Sequence, residues 1–279
     1  MVLESLFNPF AVKKKPWEMF LAGFVYAFVG LALSYIVFRE VSGLLTVFLI
    51  VLAIVPLFYT TIKNEEELDL KYDKEWTLLK EHTKVLIYLI FLFLGMTFAL
   101  VLSYVFLPSE MVSTVFSLQE KAILNTNNVV QGNLTKLDLF TRIIFNNLKV
   151  LFFCLIFSFV YGTGAIFILT WNASVVATAM GNFFKTELAK GASLVGIPTL
   201  SSYFSAASFS FLRYMTHGIL EMSSYFIAGL AGGIISIALI KHNLKEDKVL
   251  IDALDLVLLS VGFLIAAALV EVYITPLMF

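Results

Sequence analysis

The sequence predicts an all-α integral membrane protein: a polytopic helical bundle with six clear spans and a seventh weak span or re-entrant segment. Two observations predict this class. Hydrophobic residues make up 60% of the chain and charged residues 14%, whereas soluble domains hold about 45–50% apolar and about 25% charged residues. Several apolar runs also reach the roughly 20 residues that a helix needs to cross a bilayer. The runs are continuous rather than alternating, which favours helices over the strands of a barrel.

Charged or proline-containing segments bound the first three predicted spans. The first covers residues 17–38 and follows a cluster of lysines without a small-residue cleavage site, so we expect an uncleaved helix. The second covers 42–62, and the third covers 85–107 and ends before Pro108. Residues 63–84 between them carry many charges of both signs. We interpret this segment as a solvated helix, a helical hairpin arm or a charged linker.

The fourth span is predicted at residues 144–171, a long apolar run. Residues 172–190 contain scattered polar side chains and predict a short helix that lies partly in the membrane interface. Residues 191–215 are long enough to cross but rich in serine, so they form either the weak seventh span or a re-entrant segment buried in protein. The last two spans, at 216–240 and 249–273, are joined by a short charged turn and form an antiparallel hairpin.

Lysine and arginine residues set the predicted orientation, because they concentrate in cytoplasmic loops. Placing the N-terminal lysines inside also places the lysines of residues 63–84 inside. A seven-span arrangement, in which residues 191–215 cross, puts more basic residues on that side than a six-span arrangement does. We therefore expect a multi-pass protein of the cell membrane with a cytoplasmic N-terminus and an external C-terminus.

The charge and cysteine content exclude some partners and bonds. The formal net charge is −1, so we expect the lipid bilayer as a partner and no nucleic acid. The chain has one cysteine, Cys154, which rules out an intrachain disulfide. We find no phosphate-binding loop, dinucleotide fingerprint or nucleophile elbow. We therefore assign no catalytic residue and no cofactor, and we predict that the chain is not an enzyme.

Polar side chains within or near the predicted spans form the candidate site. Ionisable groups are costly in hydrocarbon, so they suggest a function and a nearby partner. His217 and Glu221 are one helical turn apart on the same face, and the hairpin of the last two spans should bring Glu271 to a similar depth. The full set comprises Asn146, Asn147, Asn172, His217, Glu221 and Glu271.

Which asparagines join the carboxylates depends on the number of spans. In the seven-span arrangement Asn146 and Asn147 reach the level of Glu221, whereas in the six-span arrangement Asn172 takes their place. Three interpretations of the cluster stay open. It satisfies itself as a structural latch between helices, handles ions or protons, or supplies metal ligands for an intramembrane hydrolase. We favour the third least, because the chain has three histidines and the other two are expected on the opposite side.

Small residues indicate where helices pack closely. Gly229 and Gly233 have the small-xxx-small spacing that lets helix backbones approach in a membrane. We expect such positions to pack within or between subunits, and we predict a homo-oligomer held through the glycine faces. The predicted packing positions are Gly162, Gly164, Gly218, Ala228, Gly229, Gly232 and Gly233.

Three segments together resemble the stage II sporulation protein M family. They are FNNLKVLFFCLIFSFVYGTGAIFILTWNASVVATAMG, THGILEMSSYFIAGLAGG and AAALVEVYITP. They hold the paired asparagines, the Gly-x-Gly of the fourth span, the His-Gly-x-x-Glu, the Ala-Gly-x-x-Gly and the late glutamate near Thr-Pro of the family pattern. Ala173 and Thr216 depart from it, where the family has glycine and proline. The resemblance covers residues 85–279 and implies a membrane domain there. It leaves a two-helix membrane hairpin with a charged cytoplasmic segment at 1–84.

The resemblance also implies a function. The sporulation member of this family is a scaffold that recruits peptidoglycan-degrading partners and is not itself known as an enzyme. A non-catalytic integral membrane scaffold or assembly protein of the cell envelope is therefore expected, with other envelope proteins as candidate partners. The alternative that the residues leave open is a transporter or channel for a small solute, ion or lipid that uses the buried His, Glu and Asn cluster.

Overall fold

The computed structural model describes residues 15–71, 75–130, 135–195, 197–241 and 247–278. Two of the N-terminal lysines used for the orientation, Lys13 and Lys14, and one of the three histidines, His242, lie outside these residues. The structure is 94% helical, and no strand occurs in the part of the chain that it describes. The all-α fold class is therefore confirmed.

The first two helices form a hairpin. Helix α1, Trp17–Val37, and helix α2, Ser42–Lys71, are joined by a 3-10 turn, Arg39–Val41. The hydroxyl oxygens of Ser34 and Thr46 lie 2.6 Å apart near this turn. Their hydrogen bond pairs two buried polar groups and holds the two helices together at this end.

The charged segment between the second and third predicted spans is helical and partly buried. Helix α2 continues to Lys71, and helix α3, Glu75–Phe106, begins soon after it. Glu65 and Glu66 are fully buried, and His82 is nearly so. The expectation of a solvated segment is wrong at these three positions, because α2 and α3 keep packing against other helices beyond their apolar parts.

Two short helices, α4, Ser109–Val115, and α5, Ser117–Val130, precede helix α6, Lys136–Tyr161. Thr135 is the N-cap of α6. Its hydroxyl accepts a hydrogen bond from Asp138 N, and the Asp138 carboxylate accepts one from Thr135 N. This capping box satisfies two backbone donors and defines where α6 begins.

A tight glycine turn divides the fourth predicted span. Helix α6 ends at Tyr161, Gly162 takes a positive φ of 68°, and helix α7 covers Ala165–Val195. Glycine adopts this conformation without the steric strain that a side chain would meet. The predicted span at 144–171 and the interfacial helix at 172–190 are therefore wrong, because the chain reverses direction inside the apolar run.

Helix α8, Leu200–Ile240, has 41 residues. Thr199 caps its beginning by accepting a hydrogen bond from Ser202 N, and Pro198 before the cap disfavours helical backbone in the residue that precedes it. The predicted division between residues 215 and 216 falls inside this continuous helix. Residues 191–215 are thus neither a separate span nor a re-entrant segment, because α7 and α8 share them.

The last described helix contains a local widening. Helix α9, Asp247–Leu269, passes into a π-helical turn, Val270–Ile274, and a short helix α10, Thr275–Met278. The hydroxyl of Ser224 on α8 donates to Ser260 O on α9 at 2.7 Å. Helices α8 and α9 therefore form the predicted terminal hairpin.

Seven helices in the described residues are long and apolar enough to cross a membrane: α1, α2, α3, α6, α7, α8 and α9. The chain is a polytopic integral membrane protein with seven candidate spans. Helix α8 is the central one, since 83% of its span window is buried against 22–56% in the other six. Helices α6, α7 and α9 pack along it.

The predicted small-residue face on α8 is used inside the chain. A side chain at Gly229 would come within 2.9 Å of Ala165 Cβ on α7, and one at Gly232 would overlap Leu155 O on α6. Such close approach gives tight helix packing where lipid supplies no hydrophobic bias. The oligomer face predicted at Gly229 is therefore covered by helices of the same chain and is not free for a second copy.

The other predicted packing residues differ in their surroundings. A side chain at Gly233 would come within 2.7 Å of Ile62 Cδ1 on α2, and one at Gly164 would overlap the backbone of α6. Ala228 is fully buried. A Cβ on Gly218, by contrast, would meet no described atom within 4 Å. Gly218 is therefore not required for close packing in the described part of the chain.

A glycine crossing that the sequence analysis did not predict joins α1 to α3. Side chains at Gly23 and Gly95 would overlap the backbone carbonyl oxygens of Leu92 and Phe20. The two backbones therefore touch at this crossing. The α1–α2 hairpin is packed directly on α3.

Candidate functional site

Glu221 on α8 is the centre of the polar cluster. It is half-buried, and its Oε1 accepts a hydrogen bond of 2.8 Å from the hydroxyl of Tyr225, one helical turn later. Tyr225 is fully buried. The bond is therefore shielded from competing partners and fixes the direction of the carboxylate.

Glu271 approaches Glu221 from the π-helical turn Val270–Ile274. The two carboxylates lie close enough for their charges to repel each other, and Tyr225 lies within electrostatic range of both. π-Helical turns hold fewer than about 1% of residues in soluble proteins and often mark functional sites. The wider turn changes the direction in which Glu271 leaves the helix, and no pattern in the sequence predicted it.

His217 contacts the same hairpin but does not bind a glutamate. Its Nδ1 lies 3.4 Å from the hydroxyl oxygen of Thr275, and that hydroxyl donates to Val270 O at 3.2 Å. The predicted His–Glu latch is therefore not formed among the described residues. Glu221 is bonded to Tyr225 instead, and His217 to Thr275.

Asn147 on α6 lies at the height of Glu221. The chain reverses twice between α6 and α8, so these helices run in the same direction. A Cβ added to Gly232 on α8 would lie 3.0 Å from Ser158 Cβ on α6, so these two positions are at the same height. Moving the same number of residues toward the N-terminus along each helix leads from Ser158 to Asn147 and from Gly232 to Glu221. Asn147 shares the buried face of α6 with Ser158 and so points toward α8. Asn146 is exposed, and its amide donates a 3.4 Å hydrogen bond to Asn147 Oδ1.

Asn172 on α7 lies at nearly the same height. Ala165 on α7 packs against Gly229 on α8, and the two helices run in opposite directions. Moving the same number of residues forward along α7 and backward along α8 leads to Asn172 and Met222, which are therefore at similar heights. The Asn172 amide donates to Ile168 O at 2.9 Å within its own helix. The prediction that either Asn146 and Asn147 or Asn172 would reach the level of Glu221 is wrong. It assumed one uninterrupted span, whereas the chain reverses at Gly162 and brings Asn147 and Asn172 to similar heights.

The cluster places acidic groups and hydroxyls together at membrane depth. Two carboxylates that face each other in a low dielectric repel, and a proton or a cation between them relieves the repulsion. Within the described residues, no three His, Cys, Asp or Glu side chains converge as a metal site requires. The pair of carboxylates can therefore hold a proton or a small cation.

The cluster lies wholly within the part of the chain that a known family covers. The family model of Stage II sporulation protein M matches residues 84–276. The chain belongs to this family. No curated protein and no solved structure matches the chain. The resemblance described above is confirmed, and we call residues 84–276 the family region; helices α1 and α2 lie outside it.

A second group of ionisable residues joins the family region to α2, and the sequence analysis did not predict it. His82 Nδ1 lies 3.0 Å from Glu65 Oε2, and Nε2 lies 3.1 Å from Asp252 Oδ2. Glu65 continues the buried stripe of α2 that includes Phe58 and Ile62. Extending the helical spacing past the end of the apolar run would have indicated that Glu65 faces inward.

Lys241, just after α8, adds an ion pair next to this group. Its Nζ lies 2.7 Å from Glu66 Oε2 and 3.4 Å from Glu67 Oε1. Partial burial lowers the pKa of Lys241, but its hydrogen bonds and charge attraction to the two glutamates outweigh this effect and raise the pKa above the ordinary lysine value. Lys241 therefore stays charged at neutral pH and links the family region permanently to α2.

An open groove of about 1230 Å³ lies between α3, α7 and the first half of α8. Its walls are mainly aromatic and aliphatic and include Phe98, Phe184 and Phe211. The buried hydroxyl of Thr97 also lines it and has no hydrogen-bond partner among the described residues. Most of the groove belongs to the family region.

Proposed function

We propose that this member of the Stage II sporulation protein M family is a transporter or channel for protons or small cations, with Glu221 and Glu271 as the binding site. The observation that carries the proposal is that two half-buried carboxylates, Glu221 on α8 and Glu271 on the π-helical turn after α9, lie within electrostatic range of each other. A structural latch does not need two like charges, because amides and hydroxyls make the same hydrogen bonds without repulsion. Two neighbouring carboxylates instead suit a binding site for a positive charge.

The surroundings of Glu271 support the proposal. Its carboxylate has no hydrogen-bond or ion-pair partner among the described residues, although it is half-buried. A carboxylate withdrawn from water is destabilising unless a donor, a proton or a cation compensates it. Glu221, held by Tyr225, offers a fixed second carboxylate for such a ligand.

Flux measurements on reconstituted protein test the proposal. We expect wild-type protein in liposomes to carry protons, Na⁺ or K⁺ down an imposed gradient, and we expect Glu221→Gln and Glu271→Gln to abolish the flux. Glutamine keeps the side-chain shape and its hydrogen bonds, so both variants should fold. Glu40→Gln, at an exposed carboxylate between α1 and α2, is the matched control and should keep wild-type flux.

Two outcomes of this experiment would contradict the transport proposal. One is wild-type protein that moves none of the three cations under any gradient. The other is Glu271→Gln protein that carries them as fast as the wild type. Size-exclusion profiles of all variants establish that each comparison uses folded protein.

A second candidate function is a scaffold or assembly protein of the cell envelope without catalytic residues. The observation that favours it is the open apolar groove between α3, α7 and α8. An apolar concavity on membrane helices suits a transmembrane segment of an envelope protein or of a second copy of this chain. This use of the groove needs no titratable carboxylate.

Photo-crosslinking in native membranes tests the scaffold function. A crosslinking amino acid at Phe204, which is 77% exposed and lines the groove, is compared with one at Leu258, 63% exposed on α9 and outside it. We expect one defined envelope protein to be captured from Phe204 and not from Leu258. Capture of a second copy would instead identify a homo-oligomer. Crosslinks to lipid alone would contradict a scaffold role for the groove.

The same proposals include a location in the cell membrane with the N-terminus in the cytoplasm. The His82 and Lys241 contacts join α2, α3, α8 and α9 at one side of the bundle. Lys84, Lys241 and Lys248 lie near this side, and basic residues concentrate on the cytoplasmic side of a membrane. Single cysteines at Glu40 and Lys248 in a Cys154→Ala background test this. An impermeant thiol reagent outside intact cells should label position 40 and spare position 248; the reverse pattern would refute the orientation.

A further inference from the structure

The His82 site has a hydrogen-bond geometry that a neutral imidazole cannot satisfy. Both ring nitrogens face carboxylate oxygens, Nδ1 at 3.0 Å from Glu65 and Nε2 at 3.1 Å from Asp252. An ionised carboxylate only accepts hydrogen bonds, and a neutral ring carries a single N–H. A neutral ring with two ionised carboxylates can form one of these two hydrogen bonds. Forming both bonds requires one additional proton at the site.

We propose that His82 is a proton-binding site and that its proton fastens the α1–α2 hairpin to the family region. With the proton bound, the imidazolium donates to Glu65 on α2 and to Asp252 on α9. Glu65 and His82 precede the family match, whereas Asp252 lies within it, so the bridge crosses the boundary of the family region. The site is separate from the Glu221–Glu271 pair, and neither proposal depends on the other.

Burial makes loss of this proton destabilising for the contact. The side chains of His82 and Glu65 are 4% and 0% exposed, and that of Asp252 is 16% exposed. When the ring loses its second proton, one carboxylate faces a nitrogen lone pair in place of an N–H donor. Losing a donor to a buried carboxylate destabilises more than losing one in water. Raising the pH therefore weakens the attachment of α2 to α9.

The helices packed around His82 carry further charged groups. They are Glu65, Glu66 and Glu67 on α2; Lys80, Glu81 and Lys84 on α3; Lys241 after α8; and Lys248, Asp252 and Asp255 on α9. Lys241 is bonded to Glu66 and Glu67, so α2 is also joined to the end of α8 by a link that does not involve His82.

Selective ¹⁵N labelling of histidine measures the proton directly. The chain has three histidines, and the spectrum of His82→Gln identifies the signal of His82. We expect two protonated ring nitrogens at about pH 5.5 and one at about pH 8.5, the range in which histidine charge changes. A ring in the same protonation state at both pH values would overturn the proposal.

Spin-label distances in phospholipid nanodiscs measure the attachment. Labels at Leu52 on α2 and Leu258 on α9, both exposed, are introduced in a Cys154→Ala background. Wild-type protein should show one narrow distance at about pH 5.5 and an additional longer distance at about pH 8.5. A distance distribution that is the same at both pH values would overturn the proposal.

Asp252→Asn is the decisive variant. The amide introduced there can donate to the lone pair of a neutral ring, so both contacts of His82 persist without the extra proton. We expect its distances to be identical at the two pH values, as in His82→Gln. His217→Gln, which removes another titrating histidine, should respond to pH like the wild type. A pH response that persists in Asp252→Asn or disappears in His217→Gln would refute the assignment to His82.

Discussion

The two ionisable clusters of this protein are built in opposite ways. The cluster around Glu221 joins residues that are close along the chain, Tyr225 one turn away and Glu271 across one hairpin. The cluster around His82 joins residues that are 170 positions apart, and Lys241 and Glu66 beside it are 175 apart. The first follows from local helical spacing, whereas the second exists only because distant helices pack together.

The clusters also differ in their charge balance. The Glu221 cluster sets two carboxylates against each other, and no basic side chain is bonded to either of them among the described residues. In the His82 group, each described carboxylate of the bridge has a nitrogen partner. Among the described residues, the first cluster therefore has negative groups without a basic partner, whereas the second pairs its carboxylates with nitrogen atoms of the same chain.

The largest effect on stability is expected at Gly232 on α8, the helix that carries Glu221 and ends next to Lys241. Gly232→Leu places a side chain where Leu155 O of α6 already lies, and overpacking by several methylene groups costs about 1–3 kcal/mol or more. Backbone overlap puts this variant at the upper end, so we expect loss of the folded bundle on size exclusion. Gly218→Leu, at a position with no described atom near an added Cβ, should elute like the wild type. Equal profiles for the two variants would contradict the packing.

The next largest effect separates buried from exposed carboxylates on α2. Glu65→Ala leaves His82 beside a vacated buried position, and breaking a buried charge pair costs about 3–5 kcal/mol. Glu67→Ala removes a side chain that is 55% exposed, and exposed pairs contribute at most about 1 kcal/mol. Unfolding titrations in mixed detergent measure the difference. Similar midpoints for the two variants would mean that the His82 bridge does not stabilise the fold.

A smaller effect is expected at the Glu221 cluster. Tyr225→Phe removes one hydrogen bond to Glu221, and interhelical or side-chain bonds in membranes contribute about 0.6–2 kcal/mol. The unfolding midpoint of Tyr225→Phe should therefore shift less than that of Glu65→Ala. The cation flux of Tyr225→Phe should differ from that of the wild type, because the Glu221 carboxylate loses its orientation. Unchanged flux would argue against a role for Tyr225 in positioning.

The smallest effect concerns Lys241, whose contribution to stability should not change with pH near neutrality. The folded-state pKa of Lys241 is raised above the ordinary lysine value. The stability that its ion pairs contribute is therefore fully present below the unfolded-state pKa and is lost only as the pH rises through the folded-state value. The difference in unfolding midpoint between wild type and Lys241→Met should be constant from about pH 6 to 9, since lysine titrates near 10.4. A difference that changes across this range would contradict the raised pKa.

The fold class and the acidic pair could be predicted because both depend on local patterns. Continuous apolar runs define membrane helices, and a short turn between the last two spans brings Glu221 and Glu271 to similar depths. The span boundaries could not be predicted in the same way. Hydropathy reports whether a segment is apolar but not where it reverses, and the reversal at Gly162 is surrounded by apolar residues on both sides.

Serine content misled the prediction for a related reason. Residues 191–215 looked too polar for an ordinary span, yet the Ser210 hydroxyl donates to Met180 O on α7 and other serines of α8 bond to backbone carbonyls. Paired hydroxyls cost little in a membrane interior. The His82 group was missed because the apolar run of α2 ends before Glu65, and the helical spacing that places Glu65 on the buried face has to be extended into the charged segment to be recognised.

The central position of α8 has a consequence for biosynthesis. It is the sixth of the seven candidate spans, so five spans leave the ribosome before the helix around which they pack. Until α8 follows, Ser158 on α6 and Ala165 on α7 lack the glycines of α8 on which they pack, Gly232 and Gly229. Packing around α8 therefore cannot be completed until the sixth span has been synthesised, and a nascent chain that pauses within α8 leaves the surfaces that pack on Gly229 and Gly232 uncovered.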